Sequence, residues 1–157
     1  MKNNQPVTQN EVPFPKNTYI VSRTDLKGII TYVNDAFIEI SGFAREELIG
    51  KNHNVLRHPD MPEAAFRDMG ATLQAGKPWR GAVKNRCKNG DFYWVEAFAM
   101  PLKRDGQTVG YQSVRTPLGA SKRALAEQLY ASAGQKGSLP GTRRRRLRDL
   151  LLSLLAG

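Results

Sequence analysis

The sequence predicts an α+β fold in which short helices pack on one face of a five-stranded antiparallel sheet. Three observations carry this prediction. Five runs rich in β-branched and aromatic residues are bounded by turn-forming residues. The last three of these runs are joined by Asn-Gly and Asp-Gly turns, which are strong short-range signals for antiparallel hairpins. Between the second and third runs lie segments of helical periodicity closed by glycines.

Residues 1–18 are polar, hold Pro6, Pro13 and Pro15, and read as an extended arm. Residues 19–117 form the predicted domain. YIVSRT, the turn DLKG and IITYVN make the first hairpin. NDAFIEISG follows with Phe37 and Ile40 at helical spacing and Gly42 as a stop, and REELIG is a second short helix closed by Gly50. A longer helix is predicted from Pro62 to Gly76, with proline in its first turn and Glu63 at the positive end of its dipole. WRGAVKNRCK, DFYWVEAFAMPLK and TVGYQSVRT are the remaining strands. In the fourth, Tyr93, Val95, Ala97 and Ala99 share one face and Phe92, Trp94, Glu96, Phe98 and Met100 the other. The face that shrinks to alanine either admits a close helix or leaves a cavity beneath the helices.

Composition narrows the class. With 157 residues, 40% hydrophobic and 24% charged, the chain supports one core of ordinary size. Neither an apolar run long enough to span a bilayer nor a signal-peptide pattern is present, so a cytoplasmic location is expected. The single cysteine, Cys87, excludes an internal disulfide and a Cys-rich metal cage. The formal charge of +10 is concentrated in residues 115–157, which carry nine Lys/Arg against two Asp/Glu. That asymmetry argues against nucleic acid across the domain and for a tail that meets an acidic surface.

The tail divides in two. Residues 118–137 read as an output helix and linker leaving the sheet, with Leu118, Leu125 and Leu129 on one face. Residues 138–157 are a basic amphipathic segment: four arginines precede Leu147, Leu150, Leu151, Leu154 and Leu155 at helical spacing. Such a segment can lie on an anionic membrane surface, at about 1 kcal/mol per basic residue, but is too short to cross it. Without interleaved aromatics it is a poor nucleic-acid site.

HNVLRHPDMPEAAF, residues 53–66, gathers both histidines of the chain, an arginine and an aspartate. Together with NDAF at 34–37, ISGFAREELIGKN at 40–52, GKPWRG at 76–81 and the hairpin spanning 84–116, it resembles the PAS sensor domains. The similarity is closer to the N-terminal PAS domains of bacterial aerotaxis receptors, and it covers about residues 7–117. That resemblance implies the PAS fold, non-covalent FAD, and a redox or oxygen signal passed to a chemotaxis signalling or HAMP-type domain. It also implies a homodimer formed through the sheet and the N-terminal arm.

A flavin needs an apolar slot, hydrogen-bond partners for its polar edge, and donors for its pyrophosphate. Trp79 is either an ordinary core aromatic or a surface on which a flavin or adenine ring stacks. Asn85, at even spacing from Trp79, offers a donor and an acceptor to the ring edge. Arg57 suits phosphate, or instead pairs with Asp60 to brace the loop. His58 is expected toward the cofactor and Asp60 as the cap of the helix at Pro62. His53 and Asn34 are further candidates for the cavity wall. Flavin light sensors of the superfamily carry an adduct-forming cysteine at the position of His53, so adduct photochemistry is not expected.

Two other readings of the domain stay open from the residues: a haem-binding oxygen sensor with His53 or His58 as axial ligand, and a ligand-free interaction module. An enzyme built on His58 and Asp60 lacks an accompanying nucleophile or metal set, so no enzymatic activity is expected.

Overall fold

The computed structural model of the protein describes residues 3–135. Strands β1 (Ile20–Thr24), β2 (Ile30–Val33), β3 (Trp79–Arg86), β4 (Phe92–Arg104) and β5 (Gln107–Pro117) form one antiparallel sheet in the order β2-β1-β5-β4-β3. Between β2 and β3 run α1 (Asp35–Ser41), α2 (Arg45–Leu48), a 3₁₀ turn (His53–Leu56) and α3 (Glu63–Gln74). The predicted α+β class, strand number and helix placement are all observed.

Local chemistry sets the short elements. Asn34 caps α1: its Oδ1 accepts from Phe37 N at 3.2 Å and from Val21 N at 3.1 Å, and its Nδ2 donates to Tyr19 O at 2.8 Å. Gly42 ends α1 at φ 75°, where its N–H reaches Ile38 O, a left-handed cap that glycine adopts without penalty. Phe37, Ile40, Leu48 and Leu56 from these elements are buried with Val33, Val83 and Val95 of the sheet.

Asp60 does not cap α3 as expected. The residue at the helix boundary is Pro62, without a side-chain cap, and Asp60 lies too far before it to reach the free N–H groups of the first turn. Its carboxylate instead accepts from Lys84 Nζ at 2.8 Å. That ion pair, together with an isolated bridge between Arg57 and Asn85, ties the loop before α3 to the free edge of β3.

The N-terminal arm lies on its own domain. β5 leaves β4 at Val95, and the arm takes its place: Phe92 N donates to Asn10 O at 3.0 Å and Val12 N to Phe92 O at 2.7 Å. Thr8 bonds Asp91, and Pro6 O accepts from Arg86 Nε at 2.8 Å.

The segment expected to leave the sheet does not do so within the described residues. It forms α4 (Ala120–Gln135), held against the outer face of the sheet by Tyr130. The Tyr130 ring stacks on Trp94, and its hydroxyl donates to Ala82 O at 2.6 Å. The buried face is Ala126, Tyr130 and Ala133 rather than the leucines: Leu125 is 51% exposed, while Leu118 and Leu129 are only partly buried. Alanines allow the close approach that Tyr130 needs. The basic amphipathic tail expected at 138–157 lies outside the described residues.

Candidate functional site

A cavity of about 300 Å³ lies between the inner face of the sheet and the helical segment. Strands β1 and β5 contribute Ser22, Thr24, Tyr111, Ser113 and Arg115. The 3₁₀ turn and the residue after it contribute His53 and Arg57, and α3 contributes Phe66, Met69 and Leu73. Its third side is Val83 and Asn85 of β3 with Ala97 and Ala99 of β4. The alanine face of β4 therefore leaves room beneath the helices, one of the two outcomes its sequence allowed.

Of the expected site residues, the fold brings His53, Arg57 and Asn85 together around this cavity. Asn85 is buried and its Nδ2 has no hydrogen-bond partner among the described residues. Its cross-strand neighbour Tyr93 is buried too: its hydroxyl stands beside the Asn85 amide without a well-formed hydrogen bond, and burial holds it far above the ordinary phenol range, with the Asn85 amide opposing. The Arg57 guanidinium stands 4.1 Å from the Phe66 ring centre and does not pair with Asp60. Burial lowers its pKa, with Glu63 opposing.

The other four lie elsewhere. Trp79 shares a strand face with Val83 and Asn85, but its ring lies over Gly81, where a Cβ would sit 2.3 Å from it. Trp79 Nε1 donates to Asp68 of α3 at 3.0 Å. Asn34 is the α1 cap already described. His58 packs edge-on against Phe92, and its Nδ1 accepts from Asp60 N at 3.1 Å, which leaves a buried Nε2 without a partner. Burial and then Lys84 push its pKa down to about 4, so the imidazole is neutral. Asp60 is held by Lys84 and its carboxylate is 3.7 Å from His58.

Two residues of the polar end carried no signal in the sequence, Ser22 and Arg115. Arg115 Nη2 donates to His53 Nε2 at 2.8 Å and to Ser22 Oγ at 3.0 Å. Because arginine only donates, His53 must accept at Nε2 and carry its proton on Nδ1. Burial, then the neighbouring Arg115, lower its pKa to about 3. Cys87 is outside the cavity, bonded to Ile40 O, and burial raises its thiol to about 11, so a reactive thiolate is not at hand. Among the described residues no cluster of three His, Cys, Asp or Glu is placed to hold a metal.

The family model for the PAS fold matches residues 30–115. The chain belongs to the PAS fold family. The PAS chain is 51% identical over 124 residues to the aerotaxis receptor of Escherichia coli (strain K12), a match covering 79% of this chain and 24% of the receptor. It is 29% identical over 102 residues to a nitrogen fixation regulatory protein of Klebsiella pneumoniae, covering 64% of this chain and 21% of that protein. The PAS chain thus spans about a quarter or less of the length of these curated relatives. Among solved structures, the Rhodobacter sphaeroides LOV protein superposes with a TM-score of 0.61 at 19% identity, covering 91% of this chain and 90% of that one. The LOV domain of the Erythrobacter litoralis EL346 blue-light activated histidine kinase gives 0.59 at 18% identity, covering 64% and 96%. These likenesses show the fold. The sequence relatives include a receptor and regulatory proteins, which makes the domain a signalling sensor module.

Proposed function

We propose that this PAS domain binds FAD non-covalently in the cavity and reports the flavin's redox state to a chemotaxis signalling partner. The observation that carries the reading is Asn85, a buried amide donor in the cavity wall without a partner. Leaving such a donor unpaired costs about 1–3 kcal/mol, which a carbonyl on a ring edge offsets. Val83, Ala97, Ala99, Phe66, Met69 and Leu73 supply the apolar walls that a planar ring system requires. The cavity volume is at the lower end of the range for ligand pockets and suits a ring system.

The residues then divide the work. Asn85 orients the ring edge, His53 lines the opposite wall, and Arg57 supplies charge for the pyrophosphate. Trp79 acts from outside the cavity lining: its ring covers Gly81 and its Nε1 holds Asp68, which ties α3 to the strand that carries Asn85. His58 and Asp60 act by holding the loop that carries Arg57, and Asn34 by fixing α1. When bound, a flavin supplies reversible uptake of electrons and protons, which changes the charge next to Asn85. β3 touches both sides of the relay: Val83 and Asn85 face the cavity, and Ala82 O holds Tyr130 of α4 from the other side. A change at Asn85 therefore bears directly on the helix that continues toward the rest of the chain.

The purified protein is expected to be yellow, with flavin absorbance near about 450 nm that vanishes on chemical reduction. Asn85→Ala should weaken FAD binding about tenfold, read by fluorescence titration of the stripped protein. A colourless protein that takes up no FAD on refolding would sink this reading.

We further propose that the expected homodimer forms through the sheet and the N-terminal arm, with Tyr32 and Phe98 of the outer face, 44% and 39% exposed, in the contact. Phe98→Glu should shift sedimentation velocity from dimer to monomer. An unchanged dimer moves the contact elsewhere. The same reading places the domain on the cytoplasmic side of the membrane; among the described residues no helix is long and apolar enough to cross one.

A further inference from the structure

Arg115 stands on the inner face of β5, paired with Ile20 on one side and Ala97 on the other. It is 4% exposed, and it lines the cavity. Its partners are all uncharged. Besides the Ser22 hydroxyl and the His53 imidazole, the guanidinium carbon lies 5.2 Å from the Phe37 ring centre, and Nη1 is buried with no partner at all. No carboxylate is within ion-pair distance of it among the described residues. The other charged side chains around the cavity, Arg57 and Lys27, are cations too. The titratable groups that face Arg115 are His53, held neutral down to a pKa of about 3, and Tyr93, whose phenol stays protonated.

A buried cation without a counter-charge is costly, and the fold supplies none. The counter-charge must come with the ligand. We propose that Arg115 makes this cavity selective for the reduced, monoanionic form of the bound flavin, supplying the fixed charge and the free N–H that such a ring requires. This rests on the flavin reading above. Two-electron reduction with uptake of one proton leaves one negative charge on the ring, whereas a second proton removes it. The balance is oxidised flavin plus two electrons from an added reductant such as dithionite plus one proton from solvent, with no leaving group. Arg115 opposes the second protonation and favours the reduction. Ser22 and His53 are positioning residues that aim the guanidinium.

The test is potentiometry of the full-length, flavin-loaded protein on the acid side of neutrality, where free reduced flavin carries its second proton. One proton per two electrons gives a midpoint slope of about 30 mV per pH unit, and two protons give about 59. The wild type is expected to show the smaller slope. Arg115→Gln should bind reduced flavin at least tenfold less tightly relative to oxidised flavin, lowering the midpoint by about 30 mV or more and moving the slope toward the larger value. Arg115→Lys should restore most of the midpoint. Independently of flavin, Arg115→Gln should leave the thermal midpoint of the stripped protein unchanged or higher, since it removes an uncompensated buried charge. If Arg115→Gln does not fold, the wild-type slope decides by itself. A protein that binds no flavin overturns the proposed function and this inference together. Flavin bound with the two-proton slope, or with a midpoint indifferent to Arg115→Gln, overturns this inference alone.

Discussion

Gly110→Ala is expected to destabilise the domain by about 2–3 kcal/mol, lowering its thermal midpoint by roughly 10 °C. Gly110 is buried in β5, where it pairs with Leu102, and the next residue, Tyr111, pairs with Thr24 of β1. A Cβ there would lie 2.2 Å from Thr24 O and 3.3 Å from Thr24 C. These are backbone atoms at the end of a strand, so the clash cannot be relieved by turning a side chain. Either β1 or β5 must move. Thr24 and Tyr111 both line the cavity, so the movement should also weaken FAD uptake. Two controls bracket the result. Gly119→Ala meets nothing within 4 Å and should change stability by less than about 0.5 kcal/mol. Gly70→Ala, in the interior of α3 with nothing within 4 Å, should stabilise by up to about 1 kcal/mol. A thermal midpoint for Gly110→Ala equal to that of Gly119→Ala would refute the close approach.

Stability should be flat above about pH 7 and fall steeply as the solution is acidified toward pH 5. His53 and His58 titrate in the fold at about 3 and about 4, against an ordinary histidine value of 6.5. Burial is the main cause for both, followed by the adjacent cations Arg115 and Lys84, while Asp60 opposes the shift at His58. The folded pKa values are depressed, so the fold favours the neutral imidazoles. Their contribution is complete above 6.5 and is lost as pH falls through 6.5 toward the folded values, because the unfolded chain then binds more protons. Each proton contributes a slope of about 1.4 kcal/mol per pH unit, so two histidines approach about 2.7 in the steepest part. Urea denaturation at pH 7 and at pH 5 should differ by about 3–4 kcal/mol. The double variant His53→Gln, His58→Gln should be nearly insensitive over the same range, and glutamine at 53 keeps an acceptor for Arg115. Equal urea midpoints at the two pH values would show that the histidines are already charged in the fold.

The elements were legible because their signals are local. Alternation, Asn-Gly and Asp-Gly turns, and glycine stops act within a few residues, and every strand was located to within about two residues of its place. Asp60 was assigned to the wrong partner for the same reason. Capping depends on where the helix boundary falls, and Lys84, which took the carboxylate instead, is remote in sequence. That α4 docks on the sheet at all was not legible, because docking followed Tyr130 and the small residues that let it approach rather than the leucines that dominate the hydropathy pattern.

Of the polar residues around the cavity, His53, Arg57 and Asn85 were visible in the sequence and Ser22 and Arg115 were not, for a related reason. Arg57 and Asn85 stood out as polar residues in segments that resemble a known family. Arg115 did not, since one arginine in the strand TVGYQSVRT looks like any exposed strand residue. Only pairing with Ile20 and Ala97 turns it inward.

By itself, then, the sequence determined the α+β class, the order of its elements, the alanine face that makes a cavity possible, and the family. Tertiary structure alone decided which polar groups meet there. His53, Arg115 and Ser22 come from three separate parts of the chain, and only strand register and the turn after α2 bring them within hydrogen-bond distance. Local patterns fix backbone conformation, but the charge balance of a buried site is a sum over neighbours that local patterns do not specify.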